Sequence, residues 1–347
     1  MGFSVLLSLA VIVLIGYFTF DPAAFRRLPQ HFNPWWLVAA VATVGTRVLF
    51  GGWRLDYFAH GRLGLRGGMR SQVAWDFFAY ITPSTIGGGP FVSAFIARKH
   101  RLPLGDATSI VLFAMLLDQI WFALTVPVLL AGSFFLDVIP EKAGALGFWS
   151  FTAFFVGFMA WVLLFAYGTL FRPQLLERLV DRVFRLRPLR AHRRRAQVFM
   201  EDLRHRSAIL RRQPAAFYAK GFGLTIVPWL SRYLLVLFLL LSVYPAVDVV
   251  LALLRTVVLH DSAVVLPTPG GAGGLEGLYA LLLGPPLVPE GLVAPTLLAW
   301  RVLGFYLFIA AGAAILMHGM QRKLRRRAAA PADTPEEAPE EAASDAR

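Results

Sequence analysis

The chain has 347 residues, 57% of them hydrophobic and only 16% charged, with a mean hydropathy of +0.61 and a formal net charge of +13. A soluble domain carries about 25% charged residues, so this composition points to lipid as the solvent for most of the chain. With no cysteine there are no disulfides or thiolate metal sites, and the histidines show no metal-ligand spacing, so neither a metal nor a cofactor is expected.

The N-terminal stretch MGFSVLLSLAVIVLIGYFTF has no basic flank and no small-residue cleavage site before Asp21. It reads as a retained membrane helix rather than a secretory signal. Six apolar segments, 3–20, 34–53, 107–132, 148–169, 217–243 and 292–318, each approach the length of about twenty residues that a bilayer crossing needs. Two further regions, 71–98 and 247–286, are apolar but broken, each with a helical arm, a tip rich in proline and glycine, and a second arm. The tips carry nearly the same phrase. TPSTIGGGP at 82–90 and TPGGAGGLE at 268–276 coincide at Thr82 and Thr268, Pro83 and Pro269, Gly87 and Gly273, and Gly88 and Gly274.

Basic residues set the expected orientation. Thirteen arginines lie between Arg172 and Arg212, and Arg322, Lys323, Arg325, Arg326 and Arg327 follow the last apolar segment, so both stretches are expected in the cytoplasm. Arg54, Arg62, Arg66 and Arg70 are read as one cytoplasmic linker, and Arg98, Lys99 and Arg101 as part of another. The connections 133–147 and 286–291 are sparsely basic and are placed outside. Counting crossings puts both termini inside, although 21–33 then lies outside with Arg26 and Arg27.

On this count region 71–98 begins and ends at the cytoplasmic face, and region 247–286 at the external face. The expected fold is therefore an all-α polytopic membrane protein, with about six full transmembrane helices and two oppositely oriented re-entrant helical hairpins in an inverted arrangement. The alternative is that each broken region is two tilted crossings whose glycines allow close helix packing. Residues 1–320 form the expected membrane domain, with a basic amphipathic linker at 172–215 whose Leu175, Leu176, Leu179, Val180, Val183 and Phe184 suit an anionic membrane surface. The stretch 321–347 is a basic and then acidic tail with a disordered composition.

Chain breaks at membrane depth expose backbone groups that lipid cannot satisfy, so the tips must be buried in protein or line a wet cavity. Proline drives the residue before it away from helical geometry, and glycine permits positive φ. Thr82, Ser84, Gly87, Gly88, Thr268, Gly271 and Gly273 are thus candidates to bind a lipid phosphate through hydroxyls and helix-start amides. Ionisable residues at depth are costly and face a protein interior or an aqueous path. Arg232 and Arg255 suit an anionic head group because guanidinium forks onto phosphate, and pairing with Asp118 or Asp261 is the alternative close behind. Asp76, Asp118, His260, Asp261 and Arg301 are proton-coupling or ion-pair candidates, with Arg232, Arg255 or Arg301 the expected partner of Asp118. Glu276 is either a first-turn carboxylate favoured by the helix dipole or a substrate contact.

The two phrases, TPSTIGGGPFVSAFIARK and TPGGAGGLEG, resemble the flippase-like integral membrane domain associated with lysylphosphatidylglycerol synthases, over residues from about 5 to 320. The resemblance implies the handling of a polar lipid in a bacterial cytoplasmic membrane, with Thr82, Pro83, Gly87, Gly88, Thr268, Pro269, Gly270, Gly271, Gly273 and Glu276 in the matching motifs. It also leads to the expectation of a stand-alone member without the soluble aminoacyl-transfer domain. Stand-alone relatives are linked to varied lipids, so the substrate does not carry over.

The leading expectation is translocation of a polar or anionic lipid, a phospholipid or glycolipid, with no role in nucleic acid binding. The alternatives are a membrane enzyme acting on a lipid-linked substrate and a non-transporting subunit of an envelope complex. A homo-oligomer or an envelope-protein partner fits the same sequence.

Overall fold

A computed structural model describes residues 2–19, 32–82, 88–133, 135–140, 213–263, 266 and 268–328, with single positions between 149 and 160. The rest of the apolar segment 148–169, the basic linker up to residue 212, the first-tip residues Pro83, Ser84, Thr85 and Gly87, and the tail beyond residue 328 lie outside the described residues.

The helices are α1 (Gly2–Thr19), α2 (Pro34–Phe58), α3 (Leu65–Ile81), α4 (Gly88–His100), α5 (Leu104–Ser133), α6 (Ala215–Val243), α7 (Val249–Ser262), α8 (Gly274–Leu283), α9 (Glu290–Arg301) and α10 (Leu307–Ala328). A 3-10 turn, Pro269–Gly271, precedes α8, and a π turn, Val302–Tyr306, joins α9 to α10. No strand occurs among the described residues. Four stretches are long and apolar enough to cross a membrane: α2, α5, α6 and the continuous Glu290–Gly319. The N-terminal segment is helical as expected, but its apolar run, Val5–Phe18, is shorter than these.

Both broken regions are helix–break–helix units whose arms pack on each other, α3 with α4 and α7 with α8. The described ends of the repeated phrase match. Thr82 and Thr268 are both extended, at φ −95°, ψ 144° and φ −84°, ψ 145°, as the following prolines require. The aligned Gly88 and Gly274 both open the next helix. In the second tip Gly270, Gly271 and Gly273 have φ of +62°, +66° and +85°, a region that L side chains avoid.

Local chemistry fixes where α2 begins and ends. Asn33 caps its start by accepting the Trp35 N–H at 3.0 Å. In its last turn Asp56 accepts the N–H groups of Leu63 and Gly64 at 3.1 and 2.8 Å, and this tight turn reverses the chain into α3. The returning helix comes so close that backbone meets backbone. A side chain at Gly52 would strike the backbone of Met69, and one at Gly68 would strike the carbonyl of Gly52. Lipid tails are as apolar as leucine, so helices in a bilayer associate through such close packing rather than through exclusion of water.

The buried apolar residues form two main clusters. One surrounds α4 and includes Phe58, Val92, Ile96 and Phe113, and the other surrounds α7 and α8 and includes Leu240, Leu259, Leu282 and Leu297. Helix α6 packs along the length of α2 and also against α7, and so links the two halves. The 3-10 turn of the second tip packs on α3, so the second break lies against the arm that leads into the first.

Replacing Gly52 with valine should force α2 and α3 apart and lower stability by about 1–3 kcal/mol, the usual range for overpacking. Thermal unfolding of the purified variant in detergent measures this; an unchanged midpoint would show that the two helices do not need the contact.

Candidate functional site

Burying an arginine in a lipid-facing protein requires a partner for its charge, and helix α2 buries two. Arg47 and Arg54, two helical turns apart on one face, point inward toward a cavity of about 160 Å³ between the two broken helical units. Arg47 donates to Asp76 Oδ1 of α3 at 2.6 Å and to the Tyr80 hydroxyl at 2.9 Å, and Tyr80 in turn donates to the Gly304 carbonyl in the π turn at 2.8 Å. Arg54 pairs with Asp118 of α5 at 2.5 Å, and Asp118 also accepts the Trp229 indole N–H at 2.8 Å.

Asp76 serves a second cation. Arg232 of α6 reaches the same Oδ1 at 3.0 Å, while Gln72 donates to Oδ2 at 3.1 Å. The Arg232 side chain is 18% exposed against 4% for Arg47, so it is the less enclosed partner of the shared carboxylate. Arg301 of α9 approaches Glu276 Oε2 at 2.8 Å as an ion pair and donates to the Gly270 carbonyl at 3.3 Å. Its N–H is not aligned on the Glu276 oxygen, but charge compensation depends on the separation and holds.

All four guanidiniums also lie over aromatic rings: Arg232 over Trp229 at 4.1 Å, Arg47 over Phe308 at 4.2 Å, Arg301 over Phe305 at 4.9 Å and Arg54 over Trp75 at 5.6 Å. Ring faces attract cations most where water is scarce, which offsets part of the cost of burial. The site as a whole holds four guanidiniums against the three carboxylates Asp76, Asp118 and Glu276. One positive charge is in excess.

Glu276 is fully buried and builds the second tip. Its Oε2 accepts the Gly273 N–H at 2.8 Å, closing the first turn of α8, and its Oε1 accepts the hydroxyl of Ser8 in α1. The Gly271 N–H is likewise used, by the Thr268 carbonyl at 2.9 Å, and the Ala272 N–H by the Pro269 carbonyl at 3.3 Å. These three amides are occupied within the tip, and the guanidiniums are strong charged donors around the cavity.

Of the residues singled out in the sequence, Asp76, Asp118, Arg232, His260 and Arg301 line one cavity together with Gly270 of the second tip. His260 donates through Nδ1–H to the Thr256 carbonyl, 2.9 Å away. Asp261 is buried one layer behind, against Thr125 of α5. Thr82 donates to the Phe78 carbonyl at 2.7 Å, and Gly88 packs on the backbone of Ala79. The Thr268 hydroxyl is buried without a partner among the described residues. Ser84 and Gly87 lie outside the described residues.

Arg255 stands apart from the cavity. Its guanidinium donates to the Asp137 carbonyl at 2.6 and 3.2 Å and to the Leu282 carbonyl at 2.9 Å, tying the loop after α5 to the end of α8. The partner of Asp118 is also different from the three arginines expected. Arg54, read from the sequence as part of a cytoplasmic linker, is inside α2 and buried. Arg47 was not apparent as a site residue at all. The available signal was the seven-residue spacing of two arginines in an otherwise apolar helix, which puts both on one face.

The fold and site define an all-helical integral membrane protein in which two broken helical units meet at a cationic cavity. The chain belongs to the family of the lysylphosphatidylglycerol synthase transmembrane region, whose model matches residues 5–312. This bears out the resemblance carried by the two phrases and relates the protein to lipid handling. No curated protein and no solved structure matches the chain.

Arg54→Leu should cost roughly 3–5 kcal/mol of stability, because it leaves Asp118 buried without its counter-ion. Replacing both residues with leucine should cost less than Arg54→Leu alone. A double-mutant cycle on unfolding in detergent checks the pair, and additive losses would show that it is not coupled.

Proposed function

We propose that the protein moves the polar head group of a membrane lipid across the bilayer, using the cavity between the two broken helical units as the head-group site. The observation that carries this reading is the excess positive charge of that cavity, which an anionic head group would balance. Crossing hydrocarbon is costly for a charged group, so a transporter must supply polar partners along the path. A cavity of about 160 Å³ suits a head group rather than acyl chains, given that roughly 150 Å³ holds a benzene-sized molecule. The chains would stay in the surrounding lipid.

Arg232 is the residue positioned to make the exchange. Its guanidinium shares Asp76 with Arg47, so it is free to turn to a phosphate oxygen while Asp76 keeps one counter-ion. Trp229 beneath it supports the planar group during that exchange. The carboxylates at the cavity, Asp76, Asp118 and Glu276, are each engaged by arginine, which favours binding and transport over acid–base catalysis on a lipid-linked substrate.

In this reading α3–α4 enters from the cytoplasmic face of a bacterial inner membrane and α7–α8 from the external face, with both termini inside. The basic linker and tail then lie on the anionic cytoplasmic leaflet.

Reconstituted vesicles test the proposal. Transfer of a head-group-labelled anionic phospholipid between leaflets, followed by quenching of the outer leaflet, should be faster with the protein than in protein-free vesicles. Arg232→Gln should slow it about tenfold, equivalent to about 1.4 kcal/mol. Transfer no faster than in protein-free vesicles, in the presence of folded protein, would rule the reading out.

A further inference from the structure

Asp261 differs from every other carboxylate described above. It is 2% exposed, on α7, the first arm of the second broken unit, and no cation lies within ion-pair distance among the described residues. Its Oδ2 accepts the Thr125 hydroxyl at 2.8 Å, and its Oδ1 has no hydrogen-bond partner among the described residues. An ionised carboxylate with one bare oxygen and no counter-ion carries a heavy desolvation cost in such a place. A proton on that oxygen removes the charge and the cost together.

The groups facing it from the neighbouring helices are accounted for. Helix α5 brings Thr125, and α6 brings the Tyr233 hydroxyl, which accepts the Trp121 indole N–H at 3.1 Å. Arg232, next to Tyr233 in sequence, is held on Asp76; on α7 itself Arg255 is held on two carbonyls, and His260 faces the cavity. On α8 Glu276 is paired with Arg301, and Tyr279 stacks on Trp300. Among the described residues no group of three carboxylates or histidines is present to hold a metal ion, and a proton is the cation that a single bare carboxylate oxygen takes.

We propose that Asp261 is a proton-binding site, a carboxylic acid in this conformation, and that its proton is the ion coupled to movement of the second broken unit. Adjacent residues of α6 point to a carboxylate on each unit, Arg232 to Asp76 on α3 and Tyr233 to Asp261 on α7. A proton lost from Asp261 creates an anion beside the helix that carries Arg232. That anion would face Tyr233, the residue next to Arg232 on α6, so proton release and head-group release act on adjacent residues of one helix. The coupling half of this proposal rests on the transport reading above; the protonation half does not.

Infrared spectroscopy of the protein in lipid nanodiscs at neutral pH reads the first half directly. A carbonyl band of a protonated carboxyl group should be present, shift in deuterium oxide and be lost in Asp261→Asn. The thermal midpoint of that isosteric, neutral variant should match the wild type. If Asp261→Asn fails to fold, Asp261→Glu should move the band instead of abolishing it. Absence of the band in wild-type protein, or its appearance only when sodium is replaced by choline, overturns the proposal. In reconstituted vesicles a pH gradient should alter lipid transfer by the wild type and leave Asp261→Asn insensitive. Equal sensitivity in both overturns the coupling, whereas no transfer by either protein counts against the transport reading and leaves the infrared result standing.

Discussion

The arrangement depends on one shared carboxylate. Asp76 is buried at the end of two arginines from different helices, and neither Arg47 nor Arg232 would be tolerable at that depth alone. The contact brings α2, α3 and α6 to a common point, and Tyr80 extends it to the π turn between α9 and α10. The side chains around the cavity are therefore held by charge compensation, because lipid supplies no hydrophobic force to press the helices together.

Close packing and ion pairing depend on each other here. Arg47 and Arg54 are carried by a helix that meets its neighbour at Gly52 and Gly68, where only hydrogen atoms separate the backbones. That proximity keeps α2 and α3 within reach of a short Arg47–Asp76 contact. The second tip follows the same logic with different atoms. Gly270 adopts a positive φ, and a side chain there would strike the Phe305 ring, while Glu276 gathers the Gly273 amide, Ser8 and Arg301 around one carboxylate. The tip thus borders the cavity at Gly270, and its Gly271, Ala272 and Gly273 amides are engaged within it.

This division of labour bears on how a head group would be recognised. Glycine-rich turns at helix starts invite the idea of an amide cradle for phosphate, but the Glu276 carboxylate already fills that role for Gly273. In the proposed reading recognition falls to guanidiniums, whose long side chains can exchange one acceptor for another without breaking a helix. Arg232 has the freedom for this because Asp76 has a second partner. Asp118 and Glu276, each with one arginine, have less.

Much of the architecture was legible in the chain itself. Hydropathy marked the long helices, and the repeated Thr-Pro and Gly-Gly positions marked two breaks, each entered by an extended threonine and left by a helix-opening glycine, because proline and glycine act on φ and ψ locally. The depth of Asp76, Asp118, Arg232 and Arg301 was visible for the same reason: charge in an apolar run shows in one dimension. Which charge meets which was not. Arg54 looked like the start of a basic linker until α2 proved long enough to bury it, and Arg255, equally deep in sequence, turned to the carbonyls of Asp137 and Leu282 instead of the cavity. Ion pairing depends on helix rotation and on approach distance, and these are set by contacts between residues far apart in the chain, such as Gly52 against Gly68, that no local pattern specifies.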